Sequence, residues 1–463
     1  MRNIQLLFAG ALIAIIPIEL LAQRNVTYPE LHQRASQSAV YLEHLVLPSR
    51  EGGGLLSVNF RMDYELLPFI RYRPENSLYD DSGNDRAYFS SVRMSMEVIR
   101  GTLSGRNQSF EPVSRATWID TAWAATYEQT RSRTEHVTGS LTAQLEQGEY
   151  NVILDLNRGE SLREARSRER SITVPDYDNE DQGQLLLLRP TDDAGGQNQE
   201  IELLNFGEHV LYGEDFELLV LLPGTLDSDA VEVRIERLAS GSDSRVTGDP
   251  LFTDRILLTD MDRTEGFSRA ETETDARLRW SSSDTGFPLA ILTIPNSEFP
   301  NTRMRISVIP EGSSDPVASR NISSRWVNMP VSLYNIDVSI NMMRFIVNQD
   351  QIRELNRGNA TERERKFRTF WSERDPTPDS EYNELMAEYY RRVDYAYENF
   401  STPERPGFES DQGKAYINFG EPLRKERTYP ADGPAREVWT YPNRTLVFEA
   451  TSGFGDFRLI SNF

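Results

Sequence analysis

Residues 56–64 read LSVNFRMDY, and this stretch decides the fold class of the first half of the chain. Leu56, Val58, Phe60 and Met62 alternate with polar residues. A period of two places one face of a β-strand in a core and the other in water. The stretch therefore predicts a half-buried strand.

The same alternation recurs on both sides of this stretch, interrupted by turn-rich loops and without a helical period between the strands. The strands predicted in this region are 39–47, 56–64, 92–98, 117–127, 150–156 and 171–174. Short strands in this arrangement are typical of an antiparallel sandwich of the immunoglobulin-like kind. We predict one such sandwich over residues 39–175.

A polar, acidic segment that starts at Pro175 predicts a linker to a second β region. The strands predicted there are 185–189, 216–222, 231–238, 289–294, 304–309 and 322–327. Clusters of Gly, Ser, Asp and Pro separate them, which is again the spacing of an all-β domain. The second immunoglobulin-like sandwich is placed at residues 183–330.

After Val331 the apolar period changes from two to about 3.6. Residues 382–400 predict an amphipathic helix that Asp379 or Ser380 caps and that ends before Pro403. Two shorter helices are predicted around 340–346 and 367–371, and strands at 415–419, 438–441, 446–448 and 457–463. This pattern predicts a C-terminal α+β domain over residues 331–463.

The beginning of the chain has the features of a secretory signal. Arg2 precedes an apolar run over 4–16, and Ala22 offers a small residue for cleavage. The run is shorter than the roughly 20 residues that span a bilayer, and no later apolar stretch reaches that length. We predict a signal peptide at 1–22, an N-terminal linker at 23–38, and an extracytoplasmic (periplasmic or secreted) mature chain without a transmembrane segment.

Composition narrows the range of partners. The chain has 72 acidic and 50 basic residues, a net charge of −22, and no cysteine. An acidic surface repels phosphate backbones, so nucleic acid is not expected as a partner. The absence of cysteine excludes disulfides and thiolate metal ligands.

The C-terminal third contains the most distinctive residues. Residues 407–413 read GFESDQG and residues 416–422 read YINFGEP, after FW at 370–371 and DPTP at 375–378. Together they resemble the bacterial GWxTD-domain family, which is named for a Gly-Trp-any-Thr-Asp motif. Phe408 stands where the family has Trp, and Ser410 where it has Thr. The resemblance implies an exported protein of a family with undefined activity, so no catalytic or ligand residue can be carried over.

Two interpretations of these residues stay open. In the first they are structural and specify a helix–turn–strand corner under a lid formed by Trp439. The residues assigned to it are Gly407, Phe408, Ser410, Asp411, Gly413, Gly420, Glu421, Pro422 and Trp439. Here Ser410 and Asp411 accept backbone N–H bonds, and Gly413 supplies a positive φ before the strand at 415–419.

In the second interpretation the acidic residues form a site. Asp375, Asp411 and Glu421, together with Arg391, are the candidates for general acid, general base or cation ligand. The phosphate-loop, nucleophile-elbow and HExxH motifs are absent from the sequence, and no cofactor or metal is assigned. We therefore expect a non-enzymatic interaction or structural module of the cell envelope, with a protein or glycan partner. An envelope hydrolase that uses Asp411 and Glu421, or a small-molecule sensor, is the alternative.

Overall fold

The computed structural model describes residues 26–35, 40–72, 86–102, 109–132, 134–158, 165–166, 169–190, 198–239, 244–270, 277–430, 433–451 and 456–462. The predicted signal peptide lies outside these ranges. Within them, no helix is both long and apolar enough to span a bilayer. The chain divides into two compact units: one is residues 38–328, and the other joins residues 1–37 to residues 329–463.

The first part of the 38–328 unit is a β-sandwich. Its described strands are β1 (Val40–Pro48), β2 (Gly54–Asp63), β3 (Ile70–Arg71), β4 (Tyr88–Thr102), β5 (Ser109–Ala124), β6 (His136–Leu145), β7 (Gly148–Arg158), β8 (Ala165–Arg166) and β9 (Arg170–Val174). One sheet has the order β1-β2-β6. In the other, β4 pairs with β3, β5 and β7, and β7 also pairs with β8 and β9. All these pairs are antiparallel, as predicted.

The apolar face of β2 forms the centre of this sandwich. Leu56, Val58 and Phe60 pack there against residues of β4, β6 and β7. The Phe60 ring meets Trp118 edge to face with centroids 4.9 Å apart. Gly139 on β6 leaves room for this pair, because a Cβ at that position would lie 2.5 Å from the Phe60 ring. The alternation in the sequence therefore identified the core face correctly.

A second sandwich follows in the same unit. Its described strands are β10 (Gln184–Leu188), β11 (Asn198–Glu202), β12 (His209–Leu211), β13 (Phe216–Leu221), β14 (Ala230–Arg237), β15 (Phe252–Leu257), β16 (Asp262–Arg269), β17 (Arg277–Ser282), β18 (Phe287–Ile294), β19 (Arg303–Pro310) and β20 (Ala318–Arg325). The two sheets have the orders β10-β13-β18-β16-β17-β11 and β12-β20-β19-β14-β15. Apolar residues of both sheets form one core. All pairs are antiparallel except β12 with β20.

The prediction that β2 is half-buried is wrong. Its polar residues Ser57, Asn59, Arg61 and Asp63 are at most 4% exposed. The reason is a further apolar cluster, in which side chains from β1 and β2 pack against the second sandwich. Its members include Leu47, Leu55, Leu186, Leu219 and Trp280. The strand β2 is therefore buried on both faces.

The C-terminal unit is an α+β domain, as predicted. Its elements are α1 (Tyr28–Ala35), α2 (Ile336–Met342), α3 (Gln349–Leu355), α4 (Ala360–Ser372), α5 (Glu384–Phe400), α6 (Asp411–Phe419), β21 (Arg424–Thr428), β22 (Arg436–Tyr441), β23 (Arg444–Ala450) and β24 (Phe457–Asn462). The strands form an antiparallel meander in chain order. One apolar cluster joins the helices, and a second joins α6 to the sheet.

Three predicted features of this unit are wrong. The strand predicted at 415–419 belongs to the helix α6, because Ser410 caps a helix there and a five-residue segment with four apolar side chains does not distinguish the two structures. The predicted linker at 23–38 contains α1, whose Tyr28 and Leu31 are buried. The cap of α5 is Asn383, which accepts a hydrogen bond from the Met386 N–H at 2.8 Å, and not Asp379 or Ser380.

Candidate functional site

The distinctive segment 407–413, called the signature corner below, turns the chain from α5 into α6. Residues 407–409 form a single 3₁₀ turn, and Ser410 caps α6. The Ser410 hydroxyl donates to the Gly407 carbonyl at 2.7 Å and accepts from the Gly413 N–H at 2.9 Å. One buried hydroxyl thus connects the end of the turn to the first turn of the helix.

Two glycines allow the backbones of this corner to approach closely. A Cβ at Gly407 would lie 1.9 Å from the Ala396 carbonyl oxygen, and a Cβ at Gly413 would lie 1.9 Å from the Gly407 carbonyl oxygen. Neither glycine has a positive φ, so the conformational reason predicted for Gly413 is wrong. The physical requirement at both positions is the absence of a side chain.

Phe408 is the buried aromatic residue of the signature corner. It is 3% exposed and lies in the helical core. Its ring centroid is 5.3 Å from that of Tyr28 and 6.0 Å from that of Tyr397. Arg344 places its guanidinium 5.4 Å from the same ring and pairs with Glu409 at 3.1 Å. Phe408 is therefore in contact with both α1 and α5.

Asp411 bonds to a strand that is distant in sequence. Its Oδ2 accepts a hydrogen bond from the Leu459 N–H at 3.0 Å, and Lys414 Nζ lies 3.9 Å from its Oδ1. The carboxylate also lies in the first turn of α6, where the helix dipole favours negative charge. Asp411 thus holds β24 against the beginning of α6.

The other candidate carboxylates lie elsewhere in the domain. Asp375 accepts the Thr377 N–H at 3.0 Å in the connection from α4 to α5. Glu421 is exposed just after the C-terminal end of α6. With a rise of 1.5 Å per residue, α6 extends about 12 Å from Asp411 to Phe419, and Glu421 follows two residues after its end.

Arg391 does not join these carboxylates into one site. Its Nε donates to the Ala387 carbonyl one turn earlier, and its guanidinium lies 3.7 Å from Glu388. Among the described residues, no hydrogen bond or ion pair connects any two of Asp375, Asp411, Glu421 and Arg391. In the same part of the chain, no three His, Asp or Glu side chains converge in a way that could hold a metal ion.

The corner, the helices before it and the sheet after it match one family model. Residues 330–455 match the model described as GWxTD domain. This region is a GWxTD domain. The match confirms the resemblance, although Phe408 and Ser410 replace the Trp and Thr of the motif.

The other comparisons add little. No curated protein matches the chain. The solved structures that match this chain include a type II cohesin dyad from the adaptor ScaA scaffoldin of Acetivibrio cellulolyticus. The match covers 61% of this chain and 92% of the cohesin chain. The identity is 8% and the TM-score 0.15, so this likeness carries no argument about fold or function.

The sheet of the GWxTD domain contains a buried carboxylate that sequence reasoning missed. Glu437 is 7% exposed and accepts hydrogen bonds from Trp439 Nε1 at 2.6 Å, Gln412 Nε2 at 3.2 Å and Arg427 Nε at 2.8 Å. These bonds fix the fully buried Trp439 over α6, where a lid was predicted. In the sequence, Glu437 and Trp439 are two residues apart, which places both side chains on the same face of a strand. This spacing was the signal that could have revealed the buried carboxylate.

A second missed carboxylate lies on α5. Asp394 accepts the Tyr28 O–H at 2.6 Å and the Val331 N–H at 2.9 Å. The residue is partly exposed, but its carboxyl group is enclosed, and this burial raises the pKa of Asp394 to about 7 despite the two donors. The sequence signal was the Thr27-x-x-Glu30 capping box, which predicts a helix at the position of α1 and hence a segment that needs a partner.

Proposed function

We propose that this chain is exported and acts in the cell envelope as a non-enzymatic interaction module, whose GWxTD domain binds a protein or glycan partner. The proposal is supported by what the polar side chains of the signature corner bond to. Ser410 bonds only to the backbone of its own corner in the contacts described above, and Asp411 holds β24. Both side chains stabilise the domain itself.

The contacts of Asp411 disfavour the hydrolase alternative. A general acid must exchange its proton with the substrate, whereas Asp411 accepts a backbone N–H and has a lysine beside it.

Export rests on the start of the sequence. The apolar run at 4–16 and Ala22 predict cleavage before Gln23. Edman sequencing of the native protein from an envelope fraction tests this step. We expect a mature N-terminus at Gln23, whereas an intact Met1 on protein from the cytoplasm would refute export.

The interaction role is tested by cross-linking envelope extracts of the producing bacterium and purifying the tagged chain. We expect one partner in a fixed ratio to the chain. Recovery of the free chain alone would count against the proposal.

The same preparation tests the hydrolase alternative. The purified chain is incubated with cell-wall glycan and with peptide substrates, next to the variants Asp411→Asn and Asp379→Asn. Asp379 is an exposed carboxylate of the same domain and serves as the matched control. We expect no turnover by any of the three proteins. Turnover that Asp411→Asn alone abolishes, at an unchanged melting temperature, would establish an enzyme instead.

A further inference from the structure

The helix α1 occupies a groove on the GWxTD domain. The groove, called the α1 groove below, is formed by Val331, Asp394, Tyr397, Glu398 and Phe408. The helix α1 enters it from about 300 residues earlier in the chain. Two of the groove residues, Val331 and Phe408, are buried in the helical core.

Tyr28 is the main anchor of α1 in this groove. Its ring is 2% exposed and lies 4.9 Å from the Tyr397 ring and 5.3 Å from the Phe408 ring, measured between centroids. Its hydroxyl donates to Asp394 Oδ1 at 2.6 Å. The other oxygen of Asp394 accepts the Val331 N–H, so the carboxyl group is held in position by the domain itself. The groove therefore offers a tyrosine side chain both aromatic rings to pack against and a hydrogen-bond acceptor for its hydroxyl group.

Two further side chains of α1 complete the fit. Leu31, three residues after Tyr28, is 2% exposed in the same cluster. His32 Nε2 lies 3.0 Å from Glu398 Oε1 at the edge of the groove. Residues three and four apart lie on one face of a helix, so these contacts define a helical recognition pattern.

The GWxTD domain has most of its core without α1. Of the sixteen buried residues in the helical cluster, Tyr28 and Leu31 alone come from α1. An isolated helix of eight residues is marginal in water, so α1 depends on the groove for its structure. The capping box, in which the Thr27 N–H donates to Glu30 Oε2 at 2.8 Å, sets where the helix begins.

We propose that the α1 groove is a helix-binding site, that α1 is its resident and exchangeable ligand, and that a helical peptide with Tyr and Leu three residues apart displaces it. This deepens the proposed interaction role and rests on it, because it names the chemistry of the partner: an amphipathic protein helix. The aromatic residue of the signature corner, Phe408, then serves as a wall of the binding site.

The experiment uses the mature chain, residues 23–463, and a fluorescein-labelled peptide of residues 26–35 as the probe. Its affinity is measured by fluorescence anisotropy for the unchanged chain and for Tyr28→Ala/Leu31→Ala, in which the resident helix is weakened. We expect the variant to bind the peptide about ten-fold more tightly or better, because the groove no longer holds its own ligand. A peptide with the same two alanines should bind about ten-fold less tightly or worse.

Equal affinities for the two chains, or for the two peptides, would overturn the proposal. If the variant fails to fold, its affinity for the peptide cannot be compared with that of the unchanged chain. A second measurement therefore uses the unchanged chain alone. Hydrogen exchange is followed by mass spectrometry with and without excess unlabelled peptide. We expect faster exchange in residues 28–35 and unchanged exchange in α2–α6. Unchanged protection of α1 at saturating peptide would show that α1 is a fixed part of the core.

These outcomes are independent of the test of the interaction role. A partner that cross-links to the chain while α1 remains fixed refutes the groove and leaves the interaction role intact. Displacement of α1 by the peptide, with no partner recovered from envelope extracts, supports the groove as a helix-binding site and counts against the interaction role.

Discussion

Two groups of enclosed polar side chains, one in each unit of this molecule, are held differently. Around β1 and β2 of the sandwich unit, charged side chains pair with each other. Arg61 and Asp63 are both nearly inaccessible on β2, with Nε and Oδ1 3.4 Å apart, and the Arg61 guanidinium lies 4.1 Å from the centroid of the Phe206 ring. Arg320 makes a similar pair with Glu43 on β1.

At the signature corner and beside α1 in the GWxTD domain, enclosed polar side chains bond to backbone groups. Ser410 contacts Gly407 and Gly413, and Asp394 accepts the Val331 N–H. A charge pair is sensitive to the loss of either partner, because the other is left buried and uncompensated. A capping group instead holds one element in place, so its loss has a local effect. A carboxyl group among neutral donors also titrates with a shifted pKa.

The largest effect is expected for Arg61→Ala. The substitution removes a buried cation that faces the Asp63 carboxylate and lies over the Phe206 ring, which should cost about 3–5 kcal/mol of unfolding free energy. Denaturant unfolding measures it. The double variant Arg61→Ala/Asp63→Ala should regain part of the loss, since no charge is left unpaired. If Arg61→Ala costs less than about 1 kcal/mol, in the range of an exposed ion pair, the contrast between the two units fails.

The next effect is a pH dependence specific to the GWxTD domain. Burial raises the pKa of Asp394 to about 7 from an ordinary value of 3.8. The folded state therefore holds a proton that the unfolded state releases between these values, so the stability that this proton contributes is lost as pH rises from about 4 to about 7. At about 1.4 kcal/mol per pKa unit, a shift of about three units changes the unfolding free energy by about 4 kcal/mol.

Hydrogen exchange of α1 and α5 at several pH values, corrected for intrinsic rates, measures this change. His32 and Glu398 on the two helices are further ionisable groups near Asp394, so the informative quantity is the difference between the native chain and Asp394→Asn. That difference should follow pH through the range 4–7. A constant difference would show that Asp394 stays ionised throughout.

A smaller effect is expected for Gly413→Ala. The new Cβ would meet the Gly407 carbonyl oxygen at 1.9 Å, which forces the corner apart and costs about 1–3 kcal/mol or more. Gly433→Ala is the matched control in the same unit, because its Cβ would make an ordinary 3.7 Å contact with Pro430. Equal melting temperatures of the two variants would contradict the close approach of the backbones.

The smallest effect is expected for Ser410→Ala. Loss of the cap should cost about 0.5–2 kcal/mol and accelerate amide exchange in the first turn of α6. Ser410→Thr keeps the hydroxyl and should behave almost like the native chain. If both substitutions destabilise α6 equally, the hydroxyl is not the group that matters.

Local patterns in the sequence predicted the strands with strong alternation and the helices with a clear apolar stripe. β2 and α4 are examples, and the family motif identified the C-terminal domain. Several strands were missed, among them β6, β16 and β17 and the exposed edge strand β15. β15 carries three consecutive exposed residues, Thr253–Arg255, and therefore has no apolar period to detect.

Residues 407–413 show how much of the candidate site could be predicted from the sequence. Their types predicted a capped turn with a buried aromatic residue, and Ser410 caps α6 and Phe408 is buried. That a helix and not a strand follows the turn was not predictable from the short segment 415–419, in which four of five residues are apolar. The partners of Asp411 and Asp394 could not be predicted either, because they lie 48 and 366 residues away in the chain.

The sequence by itself determined the mainly β class, the α+β end, the family of residues 330–455 and the side of β2 that faces the first core, because each depends on a local period or motif. Tertiary structure alone decided that the polar face of β2 is also buried and that residues 28–35 fill a groove of the GWxTD domain. Both depend on which distant surface covers an element, and the free energy of burial is set by that surface rather than by the local sequence.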